Sequence, residues 1–159
     1  MESFAPLPQS AAFLVKAFNI CAMVTLRLMT RILIVDDNAQ VRNALRMCLT
    51  MNKDWIVCGE ADNGRAAIDM VRRVKPDVLL LDYAMPEMNG LEAARELSPL
   101  VPECAILMYT MFATPQLSEL ARAAGVRAVL SKDVNGISSV MGAIEALTST
   151  KVGTLDNSQ

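Results

Sequence analysis

Asp82 is the residue on which this sequence turns. It ends the apolar run Val78-Leu79-Leu80-Leu81 and opens a loop punctuated by Pro86 and Gly90. A second acidic site, the pair Asp36-Asp37, follows the run Ile32-Leu33-Ile34-Val35. Thr110 ends Ala105-Ile106-Leu107-Met108-Tyr109, and Lys132 stands just beyond Ala128-Val129-Leu130. Unbroken apolar runs of this kind suit strands buried on both faces, as in a parallel sheet. Open α/β sheets keep their ligands beyond the carboxyl ends of the strands. If the runs are neighbours, all these side chains converge on one pocket. Three crowded carboxylates repel one another and raise each other's pKa. A divalent cation removes that cost, and all-oxygen ligation with retained waters suits Mg²⁺. An ammonium at Lys132 and a hydroxyl at Thr110, opposite the metal, would bind an oxyanion. Together these groups describe a place for a phosphoryl group on Asp82.

The elements that must position these residues are legible in the spacing. Asn38 is a predicted N-cap for a helix carrying Val41, Ala44, Leu45, Cys48 and Leu49. Trp55 to Cys58 reads as a second strand, and Asp62-Asn63-Gly64 as a turn. Ala67, Ile68, Val71 and Val74 form a helix stripe that stops before Pro76. Leu91, Ala94 and Leu97 mark a helix ending near Pro99. Leu117, Leu120, Ala121 and Ala124 mark another, closed by Gly125 as its C′ residue. Ala128 to Leu130 is a short fifth strand, and Ile137, Val140, Met141, Ile144 and Leu147 form the last stripe. Five strand–helix units in succession imply an α/β fold with a parallel sheet and right-handed crossovers.

Composition excludes several function classes. The 159 residues carry a net charge of −2 and no His, which removes imidazole as base, metal ligand or phosphoryl carrier. Lys and Arg are scattered, so there is no basic footprint for nucleic acid. Cys21, Cys48, Cys58 and Cys104 make no Cys-x-x-Cys pair, and read as buried, inert thiols in a reducing cytoplasm. The chain divides into a leader over 1–29, a compact domain over 30–147 and a polar tail over 148–159 that is expected to be flexible and frayed. In the leader, Lys16, Asn19, Met23 and Arg27 fall on one stripe at helical spacing, with apolar residues elsewhere. That pattern fits a helix lying on a membrane or a partner. A translation start at Met29 or Met23, with the upstream residues a gene-model artefact, is the favoured expectation. After Leu147 too few residues follow for a helix-turn-helix.

With these residues in view, the stretch from Thr30 to Leu147 resembles the receiver domain of bacterial two-component response regulators. The resemblance rests on Asp36-Asp37, on Asp82 followed by Met85-Pro86 and Met88-Asn89-Gly90, on Thr110 and on Lys132. Gly59-Glu60-Ala61-Asp62-Asn63-Gly64 and Val129-Leu130-Ser131-Lys132-Asp133 are most similar to receivers that precede LuxR-type DNA-binding domains. The resemblance implies a flavodoxin-like, doubly wound five-stranded sheet of order 2-1-3-4-5. It implies phosphorylation of Asp82 from a histidine kinase or phosphotransfer protein. It implies Mg²⁺ held by Asp37, Asp82 and the backbone carbonyl of Ala84, with Asp36 acting largely through water. The expected protein is a stand-alone cytoplasmic regulator that signals through protein contacts, without direct DNA binding. A homodimer is compatible with this, and membrane contact arises only through the leader.

Three positions depart from the family pattern. Val129 stands where Tyr or Phe is usual, Met111 where a small residue follows the Thr, and Asp133 where a Pro follows the Lys. The first two favour an alternative, a receiver-like interaction module that ignores phosphorylation. An aspartyl phosphotransferase of the haloacid-dehalogenase kind is less favoured, because that class wants an acid two residues after its nucleophile and this chain has Ala84. A lone Asp more often caps a helix or turn. The ordered set of acids, Thr and Lys outweighs that commoner role.

Overall fold

The computed structural model of the chain describes residues 29–152. The expectations about the leader before Met29, about Cys21 and about residues 153–159 lie outside the described residues. Five strands, β1 Thr30–Val35, β2 Trp55–Ala61, β3 Val78–Leu81, β4 Ala105–Thr110 and β5 Val126–Ser131, alternate with helices. These are α1 Ala39–Leu49, α2 Gly64–Val74, α3 Gly90–Leu100, α4 Pro115–Ala123 and α5 Gly136–Val152. All strand pairs are parallel, in the order β2-β1-β3-β4-β5.

Strand side chains alternate between faces, so each central strand feeds two cores. Leu33, Val35, Leu79, Leu81, Ile106 and Met108 pack with α2, α3 and α4 through Val71, Leu97 and Ala121. Ile32, Ile34, Leu80, Leu107 and Tyr109 pack with Leu45 and Leu49 of α1 and with Val140 and Ile144 of α5. Both faces of β3 are buried, which is why its four residues are all apolar.

Local chemistry fixes the helix starts. Asn38, Asn63 and Thr114 accept N-cap bonds from Gln40, Ala66 and Leu117 at 2.9, 2.8 and 3.1 Å. Asn89 and Glu92 make a reciprocal capping box. Such caps contribute about 1 kcal/mol each. Gly125 has φ +87°, a left-handed conformation that suits glycine after the end of α4. Gly90 is set by close approach instead: a Cβ there would collide with the Asp82 carbonyl oxygen. Its N–H donates to the Tyr83 carbonyl at 2.8 Å, so the start of α3 is pressed against the Asp82 loop.

Several boundaries differ from the sequence reading. β2 continues past Cys58 to Ala61, because Gly59 and Glu60 pair with Leu33 and Ile34 although neither is apolar. β5 begins at Val126 rather than Ala128. α3 passes through Pro99 to Leu100. The polar segment after Leu147 does not fray at once: α5 runs to Val152, with Thr148 and Ser149 hydroxyls donating to the Glu145 carbonyl at 3.0 and 2.9 Å. Cys48, Cys58 and Cys104 form no disulfide among the described residues, and they are half-buried rather than buried. No helix among the described residues is long and apolar enough to cross a membrane.

Candidate phosphoacceptor site

Order β2-β1-β3-β4-β5 places the topological switch between β1 and β3, where successive connections leave in opposite directions. Asp36 and Asp37 follow β1 and Asp82 follows β3, so the acids flank that crevice. Carboxylate oxygens of Asp36, Asp37 and Asp82 lie within 4.8 Å of one another. Asp36 and Asp82 are buried and Asp37 is exposed. Lys132 Nζ bridges the two buried acids, at 2.6 Å from Asp36 Oδ2 and 3.1 Å from Asp82 Oδ2. The register of β4 against β5 pairs Thr110 with Ser131, and the Lys132 N–H donates to the Thr110 carbonyl at 2.9 Å. The Thr110 hydroxyl oxygen accepts from Phe112 N–H at 3.2 Å, which leaves its hydrogen available to an oxyanion.

The sequence-derived site residues Asp36, Asp37, Asp82 and Lys132 are therefore brought together, and Thr110 is tied to Lys132 through the backbone. Ala84 sits exposed two residues beyond Asp82, and its carbonyl accepts no hydrogen bond among the described residues. A set of carboxylates and a free carbonyl offers only hard oxygen donors, which fits Mg²⁺.

Two neighbours of the site were not read from the sequence. Tyr109 faces the α1/α5 layer, opposite to Thr110, and Lys132 Nζ stands 5.7 Å above its ring, within cation–π range. A tyrosine one residue before the candidate hydroxyl that ends β4 was the available signal. Arg42, on the first turn of α1, donates from Nη1 to the Asp36 carbonyl at 2.6 Å. Nothing in the helical periodicity distinguishes it from a solvated arginine. Beside the acids, a cavity of about 370 Å³ runs between α1 and α5, lined by Asp37, Val41, Ala44, Tyr109, Met111 and Ile137 among others.

Burial pushes the Asp82 carboxyl above its ordinary value; Lys132 opposes this and Asp36 adds to it. A carboxyl raised on folding leaves stability intact below its unfolded value and removes it as pH rises through the folded one. In metal-free buffer at neutral pH, Asp82→Asn is therefore expected to melt above the wild type. The gain should vanish below the ordinary aspartate value of 3.8. Melting temperatures across pH decide the point, and a variant that melts lower at neutral pH would show that the Lys132 ion pair outweighs burial.

The profile of the response regulator receiver domain matches residues 32–144. The chain is 38% identical over 119 residues to the transcriptional regulatory protein DesR of Bacillus subtilis, covering 71% of this chain and 59% of DesR. It is 41% identical over 78 residues to the chemotaxis protein CheY of Thermotoga maritima, covering 49% of this chain and 64% of that protein. Among solved structures, a LuxR-family two-component response regulator from Aurantimonas sp. SI85-9A1 superposes with a TM-score of 0.72 at 27% identity, over 77% of this chain and 86% of the other. The chain thus spans 59% of DesR and 50% of another curated relative, the regulator YdfI of Bacillus subtilis. The sheet order, the acids at its switch point and the profile match agree, and the chain belongs to the response regulator receiver domain family of two-component systems.

Proposed function

We propose that the chain accepts a phosphoryl group on Asp82 from the phosphohistidine of a kinase or phosphotransfer protein and passes the signal on by protein contacts. The observation that carries this reading is the convergence of Asp82, Lys132 and two further carboxylates at the sheet's switch point. Receiver domains are signalling modules, and the chemistry asked of this one is limited. An Asp82 oxygen forms the O–P bond as the donor's N–P bond breaks, and the released imidazole nitrogen keeps the electron pair and takes a proton. Lys132 and the Thr110 hydroxyl neutralise and orient the phosphoryl oxygens. Asp37, Asp82 and the Ala84 carbonyl would hold Mg²⁺, with Asp36 acting through water. When bound, the ion supplies charge neutralisation for the incoming phosphoryl group.

The downstream partner meets the segment after β4. Met111, Phe112 and Leu120 are large apolar side chains left 68, 57 and 52% exposed there. They sit on the loop that begins at Thr110 and on α4. Val129, in place of an aromatic, keeps open the second reading, a module that binds partners irrespective of phosphorylation. Incubation with Mg²⁺ and a small phosphodonor separates the two. The expected result is a mass gain of one phosphoryl group, mapped to the peptide containing Asp82 and lost in Asp82→Asn. A wild-type protein that gains no mass would favour the second reading. The cytoplasm, where kinases of this class deliver phosphoryl groups, is the compartment this role requires.

A further inference from the structure

The three acids are not held alike. Asp36 Oδ2 is fixed by Lys132 and its Oδ1 accepts from Asn38 N–H at 2.9 Å. Asp82 is fixed by Lys132. The Asp37 carboxylate has no hydrogen bond or ion pair among the described residues, and it is exposed. Its direction into the cluster therefore depends on the backbone that carries it.

That backbone is clamped from behind. Arg42 reaches back from α1 and donates from Nη1 to the Asp36 carbonyl at 2.6 Å, fixing the peptide that joins Asp36 to Asp37. The guanidinium is itself aimed by Glu60, whose Oε2 lies 3.4 Å from Arg42 Nε. Glu60 is anchored in β2 opposite Ile34 of β1. Both side chains are largely shielded, 19 and 25% exposed, so water competes little for the contact. The rigid planar fork of arginine can serve the carbonyl and the carboxylate together, whereas an ammonium reaches one of them.

We propose that Arg42 is a positioning residue for the metal, holding the Asp36–Asp37 peptide so that Asp37 is pre-aimed at the cation. The inference rests on the reading of the acid cluster as a Mg²⁺ site. Simple electrostatics gives the opposite expectation. A cation near three carboxylates weakens Mg²⁺ binding, so its removal alone should tighten binding. The sign of the change in affinity therefore discriminates between the two.

The test is titration of the unphosphorylated protein with Mg²⁺ alone, followed by amide chemical shifts. Arg42→Gln is expected to bind about tenfold more weakly, the lower end for loss of a group that orients a metal ligand. Arg46→Gln removes the same charge from Glu60, which Arg46 meets at 3.1 Å, without touching the Asp36 carbonyl. It is expected to stay within about twofold of wild type, because it orients no ligand. If Arg42→Gln does not fold, Arg42→Lys is read in its place and should also bind more weakly. Unchanged or tighter binding in the Arg42 variant that folds overturns the proposal. A second readout separates it from the metal reading: in metal-free protein the Asn38 amide, bonded to Asp36, should exchange faster in that variant than in the wild type. Wild-type protein that binds no Mg²⁺ sinks the metal reading, while unchanged exchange at Asn38 sinks the clamp.

Discussion

Asp37→Ala is expected to remain folded, to lose Mg²⁺ binding and to accept phosphoryl groups at least about a hundredfold more slowly, a barrier increase of about 2.7 kcal/mol. The fold should tolerate the change because Asp37 is exposed and makes no hydrogen bond or ion pair among the described residues. Exposed substitutions of that kind usually move stability by less than about 0.5 kcal/mol. The site should not tolerate it. Asp36 and Asp82 are already shared with Lys132, at 2.6 and 3.1 Å. Asp37 is the one acid of the cluster whose charge is not spent on a protein cation. Without it, a divalent ion must compete with Lys132 for both remaining carboxylates, and the incoming phosphoryl group meets less positive charge. Amide shifts under Mg²⁺ titration and the initial rate of mass gain with a small phosphodonor measure both effects. Phosphorylation of Asp37→Ala at the wild-type rate would mean that the cluster does not serve the transfer.

The strands that carry the candidate site were legible because burial on both faces demands unbroken apolar runs, and each run stops at a polar residue of that site. The convergence of the acids and Lys132 followed from parallel strands presenting their carboxyl ends together, and Thr110 joins them through its backbone bond to Lys132. The order that makes β1 and β3 neighbours came from resemblance, since pairing leaves no mark in a run such as Leu79-Leu80-Leu81. Gly59 and Glu60 hid the second half of β2, because pairing by backbone alone needs no apolar side chain. The end of α5 was hidden because Thr148 and Ser149, poor helix formers by propensity, satisfy their hydroxyls on the Glu145 carbonyl within the helix. Arg42 and Tyr109 were missed for a related reason. One acts on a main-chain carbonyl, the other by lying under a lysine that follows a different strand, and neither contact has a sequence spacing of its own.

A phosphoryl group on Asp82 is expected to be long-lived, and the double variant Ala84→Asn/Phe112→Glu to lose it about tenfold faster or more. Hydrolysis of a phosphoaspartate needs a water in line with the bond to be broken, and placing it is most of what a protein contributes. In the receivers this chain resembles, the side chains two residues after the acceptor Asp and two after the switch hydroxyl flank that approach. Here they are Ala84 and Phe112, and neither side chain can hydrogen-bond a water. The structure adds a steric argument. Phe112 N–H is tied to Thr110 Oγ1 at 3.2 Å, and its ring meets the ring of Tyr83, the residue next to Asp82, edge-on with centroids 6.4 Å apart. The ring thus lies beside the acceptor loop. Glutamate at 112 would remove that apolar cover and supply an acceptor for the water, and asparagine at 84 would supply a second polar group. One well-placed hydrogen bond is worth about 1–2 kcal/mol in a transition state, or roughly tenfold in rate. Loss of label from Asp82 in the two proteins, at one Mg²⁺ concentration, measures the ratio. If the wild type loses its label as fast as the double variant, the water is positioned by other groups, and the Phe112 ring does not guard the bond.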